Sequence, residues 1–131
     1  MSTTTDLIEH VDFVFVPTRD LEAAIEFYGT TLGLKMSVCV PDRGFAEFET
    51  GNLTLSVVDT AKMGLEHRAS PNAVALRVAD VERARGILRE RGVTFNGDTL
   101  DTGVCHMAFF SDPDGNALML HRRYAPRERQ G

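Results

Sequence analysis

The chain has 131 residues, a formal net charge of -5, 43% hydrophobic residues and two cysteines. This length suits one domain or two small related modules, and it buries roughly 70% of the unfolded surface without a metal or disulfide staple. The acidic balance argues against nucleic acid or an anionic membrane as partner, and no apolar run approaches a membrane span. The opening ten residues are not expected to act as a secretion signal, and Cys39 and Cys105 lack the spacing of a redox or zinc site. A cytoplasmic protein with reduced thiols is the expectation.

Residues 10–16, HVDFVFV, alternate as a strand, with Val11, Phe13 and Phe15 on one face and His10, Asp12 and Val14 on the other. Pro17-Thr18-Arg19-Asp20 breaks it, and Thr18 or Asp20 can cap a helix whose inward stripe is Leu21, Ala24, Ile25, Tyr28 and Leu32. Gly29 to Gly33 ends that helix. Strands are predicted at 34–40, 43–49 and 53–58, the last two flanking the turn Thr50-Gly51-Asn52. The first half therefore reads β-α-β-β-β.

Residues 59–72 have little periodicity and read as a linker with a helical turn, with His67 in solvent. A strand at 73–78 follows, then a helix opened by Asp80 with Val81, Ala84, Ile87 and Leu88 inward. Arg91-Gly92 closes it, residues 93–95 start a strand, and 96–103 form a polar loop. Residues 104–110 and 117–122 flank the turn Ser-Asp-Pro-Asp-Gly-Asn as a final hairpin. On its second arm Leu118 and Leu120 face one side, and Ala117, Met119 and His121 the other.

The halves repeat at a spacing of 60 residues. Asp20-Leu21-Glu22-Ala23-Ala24 answers Asp80-Val81-Glu82-Arg83-Ala84, and Gly51-Asn52 answers Gly115-Asn116. A duplicated supersecondary unit is implied. The fold class is α+β, two tandem βαβββ modules at about 8–58 and 73–124 joined by the linker 59–72, within one domain spanning 1–131. Two such sheets side by side are expected to curve round a shared hollow, with the helices on the outer faces.

His10-Val11, Asp20-Leu21, Phe27-Tyr28 followed by Leu32-Gly33-Leu34, and Phe110-Ser111-Asp112-Pro113-Asp114-Gly115-Asn116 together resemble the vicinal oxygen chelate superfamily. Glyoxalase I, extradiol dioxygenases, fosfomycin-resistance enzymes and bleomycin-resistance proteins belong to it. The resemblance covers roughly residues 8–124. It implies paired βαβββ modules, usually as a homodimer, with a cupped cavity between modules that in many members come from different subunits.

Metal-dependent members carry His or Glu at four equivalent strand positions. Carried over, these fall at His10, at Thr54 or Ser56, at Ala73 and at Met119, where the family has Glu. One donor in four makes a poor divalent-metal shell. A displaced set of His10, Asp12 and His121 is the alternative; any bound divalent ion would then involve His10 and His121. The residues expected to face the cavity are His10, Asp12, Thr54, Ser56, Ala73, Ala75, Arg77, Met119 and His121. Asp12 and Arg77 either pair, hold an anionic ligand group, or sit in water at the rim.

The resemblance thus implies a metal-independent small-molecule-binding protein of the bleomycin-resistance type, without cofactor, that sequesters a hydrophobic or aromatic ligand. The competing class is a glyoxalase- or dioxygenase-like lyase, isomerase or oxygenase using a divalent metal or a histidine general base. No catalytic residue is assigned. A dimerisation module without ligand is the third possibility.

Overall fold

The computed structural model describes residues 7–126. The first unit contains β1 (Phe13–Thr18), a helix, β2 (Lys35–Val40), β3 (Phe45–Glu49) and β4 (Thr54–Asp59). The second contains β5 (Val74–Arg77), the helix α2 (Val81–Glu90), β6 (Leu100–Asp101), β7 (Cys105–Ser111) and β8 (Ala117–Arg123). Each unit is one four-stranded sheet, ordered β1-β4-β3-β2 and β5-β8-β7-β6. The first strand of each runs parallel to the last, and the remaining pairs are antiparallel. The repeat seen in the sequence is a repeat in space.

Equivalent residues do equivalent work. The Asp20 carboxylate accepts from the Ala23 backbone N–H and the Asp80 carboxylate from that of Arg83, both at 3.1 Å, capping the two helices. Gly51 and Gly115 both have positive φ, 106° and 87°, in the matching β3–β4 and β7–β8 turns. The first helix differs from its counterpart. α1 (Leu21–Ile25) continues as a π-helical segment, Glu26–Thr31, in which the Leu32 N–H reaches the Phe27 carbonyl five residues back.

Helix and sheet bury one face of each strand. Val16 and Thr18 of β1, Ala46 and Phe48 of β3, Leu55 and Val57 of β4, and Leu118 and Leu120 of β8 are buried with Tyr28, Val81, Leu88, Ala108 and Phe110. The apolar members form one continuous core running through both units. The helix-covered faces of both sheets contribute to this core.

The β7–β8 turn ties the two units. Asp112 is buried and its carboxylate accepts four hydrogen bonds: from Tyr28 Oη at 2.6 Å, from Asn116 Nδ2 at 2.8 Å, and from the backbone N–H groups of Asp114 and Asn116 at 2.9 Å each. Burial first, then the Asp112 carboxylate, pushes the Tyr28 phenol far above its ordinary range, so Tyr28 stays a proton donor. Asn116 Nδ2 also donates to the Pro17 carbonyl at 2.8 Å, and Thr18 Oγ1 donates to Asp114 Oδ2 at 2.5 Å. Arg91 of the second unit donates to the Thr31 carbonyl at 2.9 Å.

Three expectations change. β1 starts at Phe13, three residues later than the alternation suggested. Residues 93–95 contribute only an isolated bridge, Phe95 to Phe110; the edge strand is Leu100–Asp101, inside the expected polar loop. The linker makes the expected helical turn, a 3₁₀ turn at Thr60–Met63, but it is also pinned to the β7–β8 turn, where the Ser70 N–H donates to Asn116 Oδ1 at 2.7 Å. Both ring nitrogens of His67 are correspondingly buried, without a hydrogen-bond partner, rather than solvated.

Candidate functional site

The face of each sheet that turns away from the helices is where the site residues gather. In the first sheet Thr54 pairs with Phe13 on one side and Glu49 on the other, and Ser56 pairs with Phe15 and Glu47. Side chains at paired positions stand on the same face, about 5 Å apart. Phe13 and Phe15 remain 50% and 39% exposed, an uncovered aromatic surface beside the half-buried Thr54 and the buried Ser56. In the second sheet Ala75 pairs with Met119 and Arg77 with His121, while Met119 and His121 also pair with Phe109 and Met107. The open face of the second sheet is therefore apolar where Ala75, Met119 and Phe109 meet and basic toward the end that carries Arg77 and His121.

Six of the eight expected ligand-binding residues, Thr54, Ser56, Ala75, Arg77, Met119 and His121, lie on these open faces. They fall into two groups, one per sheet, and Ala75 and Arg77 also line a cavity of about 500 Å³ that takes in Leu53 and Leu55 of the first unit. His10 and Asp12 need correction. They precede β1, both exposed, and His10 Nε2 lies 2.8 Å from Asp12 Oδ1. The face they were expected to share with Val14 is the core face, because Val16 and Thr18 of the same parity are buried. Phe13 and Phe15 occupy the place on the open face that had been expected for His10 and Asp12. Asp12 is engaged by His10 and not by Arg77, which makes no ion pair among the described residues.

The donor set does not fit a divalent metal. The paired positions Phe13 and Thr54, and Ala75 and Met119, offer a phenyl ring, a hydroxyl, a methyl and a thioether. Among the described residues no three of His, Cys, Asp and Glu converge as a ligand cluster.

One polar device on the open face was not legible as such. Glu49 Oε2 accepts from Ser37 Oγ at 2.5 Å, and Oε1 accepts from Thr54 Oγ1 at 2.7 Å. These bonds, that from Ser37 foremost, hold the carboxyl below the usual glutamate range against the opposing effect of burial, with help from Lys35. A depressed folded-state value means that the stabilisation is present above the ordinary glutamate pKa. It is lost as the pH falls through the lower folded value. Ser37→Ala or Thr54→Ala should move the Glu49 midpoint upward in an NMR titration of the carboxyl carbon; an unmoved midpoint in both variants would show that the hydroxyls do not hold it. The sequence signal was the alternation of Phe45, Glu47 and Glu49 on one strand face.

His106 lies off the open face, on the side of Ala108, with Nε2 3.4 Å from Asp101 Oδ2 and its ring 4.9 Å from that of Tyr124. Cys39 is exposed, Cys105 is buried, and both are free thiols. No helix among the described residues is long and apolar enough to cross a membrane.

Comparison with known proteins agrees with this architecture. The family model of the Glyoxalase/Bleomycin resistance protein/Dioxygenase superfamily matches residues 8–120. A glyoxalase/bleomycin resistance protein/dioxygenase from Nocardioides superposes with a TM-score of 0.78 at 25% identity, covering 97% of this chain and 93% of that one. TnmS3, an antibiotic binding protein from Streptomyces sp. CB03234, is similar at 30% identity and a TM-score of 0.76, over 91% of this chain and 99% of its own. Lactoylglutathione lyase from Agrobacterium tumefaciens shares the fold at 18% identity and a TM-score of 0.73, over 87% of this chain and 93% of its own. With its duplicated βαβββ units and a match spanning most of its length, this chain belongs to the Glyoxalase/Bleomycin resistance protein/Dioxygenase superfamily.

Proposed function

We propose that the protein is a metal-independent small-molecule-binding protein that sequesters a hydrophobic or aromatic ligand against the open faces of its sheets. The observation that carries this reading is the chemistry of those faces. A sheet surface turned to water ordinarily carries polar side chains, yet here Phe13 and Phe15 stand uncovered in one sheet and Ala75, Met107 and Met119 line the other. Apolar walls with a few placed polar groups are the composition of small-molecule pockets. Thr54, Ser56, Glu49, Arg77 and His121 are the groups that would orient the ligand. His10 and Asp12 sit beside the wall, on the exposed lead-in to β1.

In this reading one chain supplies two half-walls, one per sheet. A second copy, bringing its second sheet over the first sheet of its partner, would close each half into a cup, so the working form in this reading is a homodimer. The 30% identity to TnmS3, which binds an antibiotic, supports the ligand class. The mechanism needs no bond to be made or broken: burying the ligand removes it from solution.

Metal analysis and a thermal-shift screen of aromatic natural products test this together. The purified protein is expected to carry no stoichiometric Fe, Mn, Ni or Zn. A bound ligand at 100 times its Kd should add about 2.7 kcal/mol of stability. Stoichiometric metal lost on mutation of His121 would overturn the reading in favour of a metal-dependent enzyme. The absence of any shift across the screen would remove the ligand.

A further inference from the structure

The open faces of the two sheets differ in charge. That of the first carries Glu47 and Glu49, with Lys35 paired to Glu49 on the outer strand. On the second, none of the paired residues that share the face across β5, β8, β7 and β6 is acidic. Arg77 pairs with His121 there, and Arg123 follows His121 two residues later on the same face of β8. Among the described residues no carboxylate forms an ion pair with any of these three. Arg123 Nη1 donates to Cys105 Sγ at 3.9 Å, a weak acceptor. Two guanidinium groups and an imidazole thus share one end of the face with no counter-charge, an arrangement that favours an anion.

The neighbouring row sets the rest of the ligand. Ala75, Met119 and Phe109 are paired across three strands, one step along from Arg77, His121 and Met107. Successive residues on one strand face stand about 6.5–7 Å apart. A fused two-ring aromatic laid on the first row therefore brings a substituent to the second. Ala75 leaves room for the rings, and Met119 offers a polarisable sulfur to them. The planar fork of Arg77 matches both oxygens of a carboxylate, and His121 adds a ring N–H beside it. Glu47 and Glu49 repel an acid from the first sheet, so the charge pattern also fixes which way the ligand points.

We propose that the ligand is an aromatic carboxylic acid, its rings on Ala75, Met119 and Phe109 and its carboxylate held by Arg77 and His121. This rests on the ligand-binding function proposed above, and it adds the charge of the ligand and its orientation. Arg77 is the specificity-determining residue, since it tells an acid from a neutral compound of the same shape. Arg91, which lines the cavity between the units together with Arg77, already donates to the Thr31 carbonyl and takes no part.

Calorimetric titration with naphthoate and the matching naphthamide, two probes alike in shape and different in charge, tests this. The unmodified protein is expected to bind the acid at least about tenfold more tightly than the amide, as for hydrogen bonds to a charged group. Arg77→Gln and His121→Gln should each reduce that preference, Arg77→Gln the more, and leave the affinity for the amide unchanged. Arg122→Gln, on the opposite face of β8, should keep the preference in full. Equal affinity of the unmodified protein for both probes would overturn the inference while leaving a neutral aromatic ligand in place. An equal loss of preference in Arg122→Gln would overturn it by tracing the effect to net charge. A preference lost in Arg91→Gln and kept in both Arg77→Gln and His121→Gln would overturn it by moving the acid into the cavity between the units. Binding of neither probe would overturn it too, and the screen described above then decides separately whether any ligand is bound.

Discussion

Asp112→Ala should destabilise the protein by about 3–5 kcal/mol, the range for breaking a buried, fully hydrogen-bonded charge network by removing one partner. The residue is buried and its carboxylate accepts four hydrogen bonds, and two of the donors, Tyr28 Oη and Asn116 Nδ2, would be left in a site that water does not reach. For a chain of this size the loss corresponds to a fall in Tm of roughly 10–20 °C. Tyr28→Phe removes only one of the four donors and should cost about 2 kcal/mol, as for a hydrogen bond to a charged group. The double variant should cost less than the sum, because each single change already breaks the shared bond. Urea unfolding of the four proteins at neutral pH measures this. A loss below about 1 kcal/mol for Asp112→Ala would mean that the turn merely reverses the chain and does not bind the units together.

That network shows what could be read from the sequence and what could not. The turn Asp112-Pro113-Asp114-Gly115-Asn116 was recognisable as a turn because proline, glycine and Asx residues each act on the local backbone. Its partners, Tyr28 and Pro17, lie 84 and 99 residues away from Asp112 and Asn116 respectively, and no local rule connects them. The duplication was legible for the opposite reason: helix caps and turns are local, and Asp20 with Asp80 and Gly51 with Gly115 recur in both halves.

β1 marks the limit most clearly. Residues 13–16 are Phe, Val, Phe and Val, so both faces of the strand are apolar and alternation cannot say which one meets the helix. Assigning the face through His10 selected the wrong one. In β8 the faces differ, leucines against Met119 and His121, and the assignment agreed with the structure.

An apolar outer face is unnecessary for the stability of the chain itself, and this makes its function testable. Phe15→Ala removes a ring that is 39% exposed and lies outside the buried core. Its effect on unfolding should be well below the 3–5 kcal/mol typical of removing a core phenylalanine. If the ring forms part of the ligand-covering wall, a bound aromatic ligand buries the remainder of it. Full burial of such a side chain is worth about 1.5–3 kcal/mol, so covering the exposed 39% is worth about 0.6–1.2 kcal/mol, and affinity should fall by about 3- to 8-fold. Phe13→Ala should act in the same direction, because Phe13 stands beside Thr54 as Phe15 stands beside Ser56. Phe110→Ala provides the contrast. That ring is buried and packs 5.2 Å from Phe95, so its loss should lower stability by about 3–5 kcal/mol. Titration of each variant with the best ligand from the thermal-shift screen, beside its urea unfolding curve, separates the two roles. Unchanged affinity in both Phe13→Ala and Phe15→Ala would place the ligand elsewhere, and the open face of the first sheet would lose its part in binding.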